Sequence, residues 1–200
     1  MLVKLVQSTP DPINFIANIA SISHGNAKAK NPMGLVKFLY KNGHDSVFEH
    51  VYFTFYIGGI SRACSHQLVR HRMSSFTQRS QRYCDEKRVD FVMPDELWDS
   101  KIYNNALDEA SAVYDDLVRL GFPKEDARYI LPNATSTDLY MSCNLRQLIH
   151  IANERLCMDA QWEIRELVEM MCCLVDPQLH FMLVPKCQSG HFDCHKCDKK

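Results

Sequence analysis

The sequence predicts an α+β domain, an antiparallel or mixed sheet packed against helices. Two segments, Val47 to Ile57 and Thr135 to Met141, alternate apolar and polar residues with the period of a half-buried strand. Around them lie stretches with apolar residues at helical spacing, punctuated by proline and glycine. The strands are too few for regular βα alternation, which leaves α+β. At 200 residues the chain is one domain, read as residues 1–176, followed by an irregular Cys/His-rich tail over 177–200. A chain of this length buries roughly 70% of its unfolded surface and needs no disulfide or metal to fold.

Leu2 to Gln7 reads as a short first strand. Asp11 before Pro12 is an N-cap with proline at the first helical position, and Phe15, Ile16, Ile19 and Ala20 supply the buried stripe. Asn31-Pro32 repeats the signal, and Leu35, Phe38 and Leu39 carry the helix until Gly43 stops it. In the strand over 47–57, Val51, Phe53, Phe55 and Ile57 alternate with Tyr52, Thr54 and Tyr56. Gly58-Gly59 breaks it and leads into a helix from Ser61 to Met73. Residues 76–92 read as a loop and then an extended segment. Pro94-Asp95 starts a long helix with Trp98, Ile102, Ala106, Ala110, Val113, Leu117 and Leu120 on its inner face, closed by Gly121. Pro123 opens a shorter helix ending before Pro132. After the strand at Thr135 come helices over 145–157 and 159–175, and Pro177 begins the tail.

The charge balance, 23 Lys+Arg against 24 Asp+Glu, excludes a bulk basic field for nucleic acid. The longest apolar stretch, Val51 to Ile60, is far short of the ~20 residues of a membrane span. The N-terminus lacks a basic region followed by an apolar core, so no secretory signal is expected. Nine scattered cysteines do not resemble the framework of a small secreted domain. A cytoplasmic protein with reduced thiols is the expectation.

Between Ile60 and Tyr83 stand Arg62, Arg70, Arg72, Arg79 and Arg82 with His66 and His71, and no acidic residue. Such uncompensated cation points to an anion, and the planar guanidinium fork suits phosphate. Hydroxyls at Ser74, Ser75, Thr77 and Ser80 and amides at Gln67, Gln78 and Gln81 add the directional donors that a nucleotide's sugar and base need. A solvated basic face paired with acids elsewhere is the alternative that charge alone leaves open. The seven glycines form neither GxGxxG nor GxxxxGK[ST], so side chains would hold any nucleotide. No GxSxG elbow or HExxH helix is present.

Arg70-His71-Arg72, seven intervening residues and then Ser80-Gln81-Arg82-Tyr83 resemble the signature of the flavin-dependent thymidylate synthases. Four further segments follow the family's order: Gly43 to His50, Ala127 to Pro132, Asn144 to Leu148, and Arg155 with Ala160 to Ile164. The resemblance implies that the protein makes dTMP from dUMP, with methylenetetrahydrofolate giving the carbon, NADPH the reducing equivalents and FAD carrying hydride. It implies a homotetramer with active sites at subunit interfaces, and no metal. By position, Ser46, Arg70, His71, Arg72, Gln78, Asn144, Arg146 and His150 would bind FAD. Gln67, Arg70, Gln78, Ser80, Gln81, Arg82, Arg128 and Arg155 would hold dUMP, and His44 would guard access to the flavin. Arg155 would be the activating residue, at the pyrimidine.

The chemistry of the residues agrees. Uracil C5 is a poor nucleophile until negative charge develops on the ring, and an arginine at the ring edge stabilises that charge. No cysteine lies within the matched substrate motifs, so electrostatic activation replaces a cysteine nucleophile. Ser80 has no visible His/Asp pair to deprotonate it and is assigned to ligand positioning. Arg62, His66 and Arg70 fall on one stripe of the expected helix, as do Arg146, His150 and, less closely, Asn153 on a later one. Thr77, Gln78 and His150 depart from residues common in the family, but each still hydrogen-bonds. The aromatics Tyr52, Phe53, Phe55 and Tyr56 read as strand core before flavin stacking. Cys187, His191, Cys194, His195 and Cys197 include a CxxC, which leaves a structural zinc or a loose thiol-bearing tail as alternatives. An RNA-binding module built on the arginine-rich segment is the rival from another class, and the net charge counts against it.

Overall fold

A computed structural model describes residues 1–25, 29–84 and 90–189. Strand β1 (Leu2–Ser8) is followed by α1 (Pro12–Ser21) and α2 (Pro32–Lys41). A 3-10 segment, Asp45–His50, precedes β2 (Tyr52–Ser61), α3 (Arg62–Leu68) and β3 (Ser75–Gln78). Then come α4 (Lys101–Arg119), the short α5 (Lys124–Ala127), β4 (Ser136–Asn144), α6 (Leu145–Arg155) and α7 (Trp162–Leu174). The sheet is antiparallel throughout, in the order β1-β2-β4-β3. The α+β expectation therefore resolves to the antiparallel alternative.

One sheet face packs under the helices. Val3, Phe53, Phe55, Ile57, Leu139, Met141 and Cys143 meet Leu148, Ile151, Leu167, Val168 and Met171 in one core. The other face carries Tyr52 and Tyr140, about half exposed, and the Tyr56 and Tyr140 rings lie 5.4 Å apart. Alternation thus sends Phe53 and Phe55 to the core as expected and turns the tyrosines outward.

Several expectations are corrected. Asp11 stands at the N-cap of α1 as expected, but at φ 45° its side chain makes no cap bond; its carboxylate accepts from Asn14 instead. In α1 the buried positions are Pro12, Ile13, Ile16, Ala17 and Ala20, and Phe15 faces out. The strand expected from Val47 begins only at Tyr52, because Asp45–His50 turns as a 3-10 segment. It continues through Gly58-Gly59, where the register shifts and Gly59 takes φ +69°, so the glycines form a bulge rather than a break. Helix α3 stops at Leu68, which leaves Arg70 off the Arg62–His66 stripe. Residues 75–78, expected as the edge of a loop, pair with β4 as β3.

Of the stripe assigned to the inner face of α4, Ile102, Ala106, Val113 and Leu120 are exposed and only Ala110 and Leu117 are half-buried. Leu107 and Tyr114 are the buried positions, while Ile102 is 85% and Leu120 73% exposed. Helix α4 packs on α5 and the turn Arg128–Ile130, away from the main core. Past residue 176, Pro177–Met182 is a 3-10 helix in which Leu179 and Met182 are buried, followed by buried Leu183. His191, Cys194, His195 and Cys197 lie outside the described residues. Among the described residues no helix is long and apolar enough to cross a membrane.

Candidate active site

Helix α6 carries the centre of the site. Asn144 caps it, its side chain accepting from the Gln147 backbone N–H, and so stands at the mouth of the helix. Apolar Leu145, Leu148, Ile151 and Ala152 fix one face in the core. That choice turns Arg146, His150 and Asn153 into a cleft of about 690 Å³ with Tyr40, Gly43, Asp45, Glu49, Met73 and Glu154. The volume falls within the ~300–1,000 Å³ usual for small-molecule and cofactor sites. The Arg146 guanidinium donates to Glu49, with Asp45 at 3.9 Å. These two carboxylates come from the Gly43–His50 motif and were not assigned a role from sequence.

A second cleft, about 290 Å³, is lined by Arg155, Cys157, Asp159, Ala160 and Cys187. Asn153, Glu154 and Lys186 line both, so the two clefts adjoin along the end of α6. Nε of Arg155 donates to Nε2 of His71 at 3.0 Å. The turn after α3 holds His71 there, buried, with Arg70 and Arg72 exposed on either side. Among the described residues no carboxylate pairs with Arg70 or Arg72, so their guanidinium charge remains available to an anion. Burial, Arg155 and His150 push the His71 imidazole down to about 4, with Glu154 acting the other way.

A third grouping gathers much of the expected phosphate set. Arg82 forms a 2.8 Å ion pair with Glu125, and Nε of Arg128 donates to the Glu125 carbonyl at 3.0 Å. Ser80 Oγ accepts from the Arg82 backbone N–H, and Gln81 sits half-buried between them. The acidic Glu125 was not foreseen; its place two residues before Ala127 in the matched segment was the available signal.

Other expected residues turn elsewhere. Gln78 Nε2 donates to Ser65 Oγ at 3.0 Å and Thr137 Oγ1 at 3.3 Å, which occupies its amide within the fold. Gln67 donates to Gln161 at 3.4 Å. Ser46 is exposed on the 3-10 segment whose Asp45 and Glu49 line the larger cleft. His44 is exposed at the helix end, its ring 6.3 Å from that of Phe38. Glu163, also unforeseen, is buried and accepts from both the backbone N–H and Oγ of Ser61.

Fold and site together define an α+β protein with two adjoining clefts, each lined by both cationic and acidic side chains. A family model described as thymidylate synthase complementing protein matches residues 4–179. The flavin-dependent thymidylate synthase of Geobacter sulfurreducens is 38% identical over 95% of this chain and 90% of its own. That of Nitratidesulfovibrio vulgaris is 34% identical, with 93% and 88% covered. The UMP/dUMP methylase PolB from Streptomyces cacaoi, solved with 5-Br dUMP, superposes with TM-score 0.81 at 26% identity, covering 90% of this chain and 93% of that one. Helicobacter pylori ThyX, solved with FAD and dUMP, matches in fold with TM-score 0.81 at 21% identity, covering 94% and 99%. The chain belongs to the flavin-dependent thymidylate synthase family.

Proposed function

We propose that the protein is a cytoplasmic enzyme that methylates dUMP reductively to dTMP, with FAD bound, methylenetetrahydrofolate as carbon donor and NADPH as reductant. The observation that carries this reading is the placement of Arg155 beside the cleft lined by Asn144, Arg146 and His150. The donor set of that cleft fits a flavin nucleotide: a guanidinium for phosphate, an amide and an imidazole for sugar or ring edges, and Tyr40, Met73 and Ile149 as apolar surface. Bound FAD supplies the hydride chemistry.

The chain's own residues then have separable tasks. Arg146 binds anionic oxygens once they compete with Glu49, and Asn144 and His150 orient the ligand from the same helix. Arg70 and Arg72 add charge from the adjoining turn. Ser46 lies beside this cleft, and His44 at its rim guards access. Ser80, Arg82 and Arg128 hold the substrate phosphate, with Gln67 and Gln81 supplying neutral contacts nearby and Gln78, whose Nε2 donates to Ser65 and Thr137, offering only its carbonyl oxygen. Arg155 directs its remaining guanidinium donors at the pyrimidine and stabilises the charge that develops as C5 attacks.

No cysteine nucleophile is part of this scheme. Burial holds Cys143 and Cys172 up at about 12 and raises Cys64 further, so all three remain thiols at neutral pH. The family resemblance implies a homotetramer with sites completed between subunits, and the exposed tyrosine face of the sheet and the exposed part of the α4 stripe offer surfaces for such contacts.

The test is the visible spectrum of purified protein, followed anaerobically with NADPH and dUMP, then dTMP formation with methylenetetrahydrofolate. A flavin spectrum bleached by NADPH and dTMP as product are expected. Arg155→Ala should keep the fold and FAD and lose dUMP-dependent turnover. Protein that stays colourless after FAD is added overturns the cofactor assignment.

A further inference from the structure

His71 stands between the two clefts. Its ring meets that of His150 edge-on, with centroids 5.7 Å apart, and its Nε2 accepts the 3.0 Å hydrogen bond from Nε of Arg155. Arg155 is the last residue of α6, where the helix ceases to constrain a long side chain. An untethered guanidinium there samples many rotamers, and a mobile donor cannot be preorganised toward a developing charge. The tether uses Nε alone, so the Nη donors remain for a planar ligand edge.

We infer that His71 is a positioning residue for Arg155, its imidazole fixing the guanidinium that faces the substrate rather than contacting the flavin itself. This rests on the reading of Arg155 as the activating residue. The family resemblance groups His71 with the flavin-binding Arg70 and Arg72, yet its side chain is 6% exposed and turned to Arg155. Acceptance at Nε2 requires a neutral ring with its proton on Nδ1. The groups facing the ring from α6 are Arg155, His150 and Glu154; with burial, the first two keep it neutral down to about pH 4. The acceptor therefore persists across the working range of a cytoplasmic enzyme.

The test compares His71→Leu, which removes the acceptor, with His71→Gln, which offers an amide oxygen in a similar place and does not titrate. His71→Leu should lower kcat for dTMP formation by roughly 10–100-fold at saturating dUMP, the scale of a misplaced catalytic group. His71→Gln should restore most of it. In the Arg155→Ala background, His71→Leu should cost nothing further and leave FAD occupancy unchanged. Independently of activity, imidazole 15N shifts of the FAD-free protein should show His71 as the Nδ1–H tautomer, titrating at higher pH once Arg155 is alanine. Wild-type kcat in His71→Leu overturns the tether, as does FAD loss caused by His71→Leu in the Arg155→Ala background. An active Arg155→Ala enzyme overturns the underlying assignment of Arg155 as well; an inactive one beside a fully active His71→Leu enzyme rejects the tether alone.

Discussion

A buried imidazole held against the Arg155 guanidinium has a stability consequence. His71 binds its proton at about 4 in the folded protein and near 6.5 when unfolded. Above pH 6.5 both states are neutral and the group contributes no slope. As pH falls from 6.5 to 4 the unfolded chain takes up the proton first, so stability declines, by on the order of 3 kcal/mol in all. Below 4 the contribution levels off. Urea denaturation of wild type and His71→Gln across that window should show a steeper decline in wild type; parallel curves would remove His71 as its source. Cys157 bears on the mechanism, since it lines the cleft of Arg155. Cys157→Ser should retain dTMP formation within a few-fold, and its loss with FAD retained would point to covalent catalysis instead. At this scale the spacing of Arg146, His150 and Asn153 was legible, because one helix sets their common side. The partnership of His71 with Arg155 was not: the two are 84 residues apart, and only the folded chain brings them together.

Single elements depend on contacts that local patterns do not reveal. Helix α3 begins at Ser61, whose Oγ accepts from the Cys64 N–H, and Glu163 of α7 accepts from the Ser61 backbone N–H and hydroxyl. One buried carboxylate therefore pins the start of α3, and through it the turn carrying Arg70 to Arg72. Glu163→Ala should cost about 3 kcal/mol, the scale of lost charged hydrogen bonds with a donor left buried. Thermal or urea unfolding reads this directly, and a change below about 0.5 kcal/mol would mean that the pair is replaceable by water. Sequence periodicity placed β1, β4, α6 and α7 within a few residues of their positions, since each alternates or repeats against one buried face. It misplaced the start of β2 and the length of α3 because Asp45–His50 and residues 69–74 turn on backbone contacts, such as the bond from the His71 N–H to the Leu68 carbonyl. Gly58-Gly59 reads as a stop in one dimension and is a bulge once β4 lies alongside.

For the molecule as a whole, the outer stripe of α4 matters most. Ile102 on α4 and Leu120 just past its end are 85% and 73% exposed, while Leu107 and Tyr114 of the same helix are buried. Apolar periodicity identified the stripe but assigned it to the core of its own chain. In the proposed tetramer that stripe would supply a subunit contact, from which a second copy excludes water. Ile102→Glu with Leu120→Glu should shift the protein to a smaller species in light scattering after size exclusion, with activity falling in parallel, as the proposed sites completed between subunits require. A double variant that keeps both the wild-type mass and its activity would place the interface elsewhere.

The sequence by itself determined the fold class, the order of most elements and the family, because those follow from periodicities of two and 3.6 residues and from short motifs whose residues stay close along the chain. Tertiary structure decided which of the motif residues face a cleft. Arg146 and His150 do, while Gln78 spends its amide on Ser65 and Thr137. It also decided that Arg155 is held by His71, that Glu163 anchors α3, and that Ile102, Val113 and Leu120 of the α4 stripe are exposed. Each of these is a contact between distant segments, fixed by packing around one core, and no local spacing encodes it.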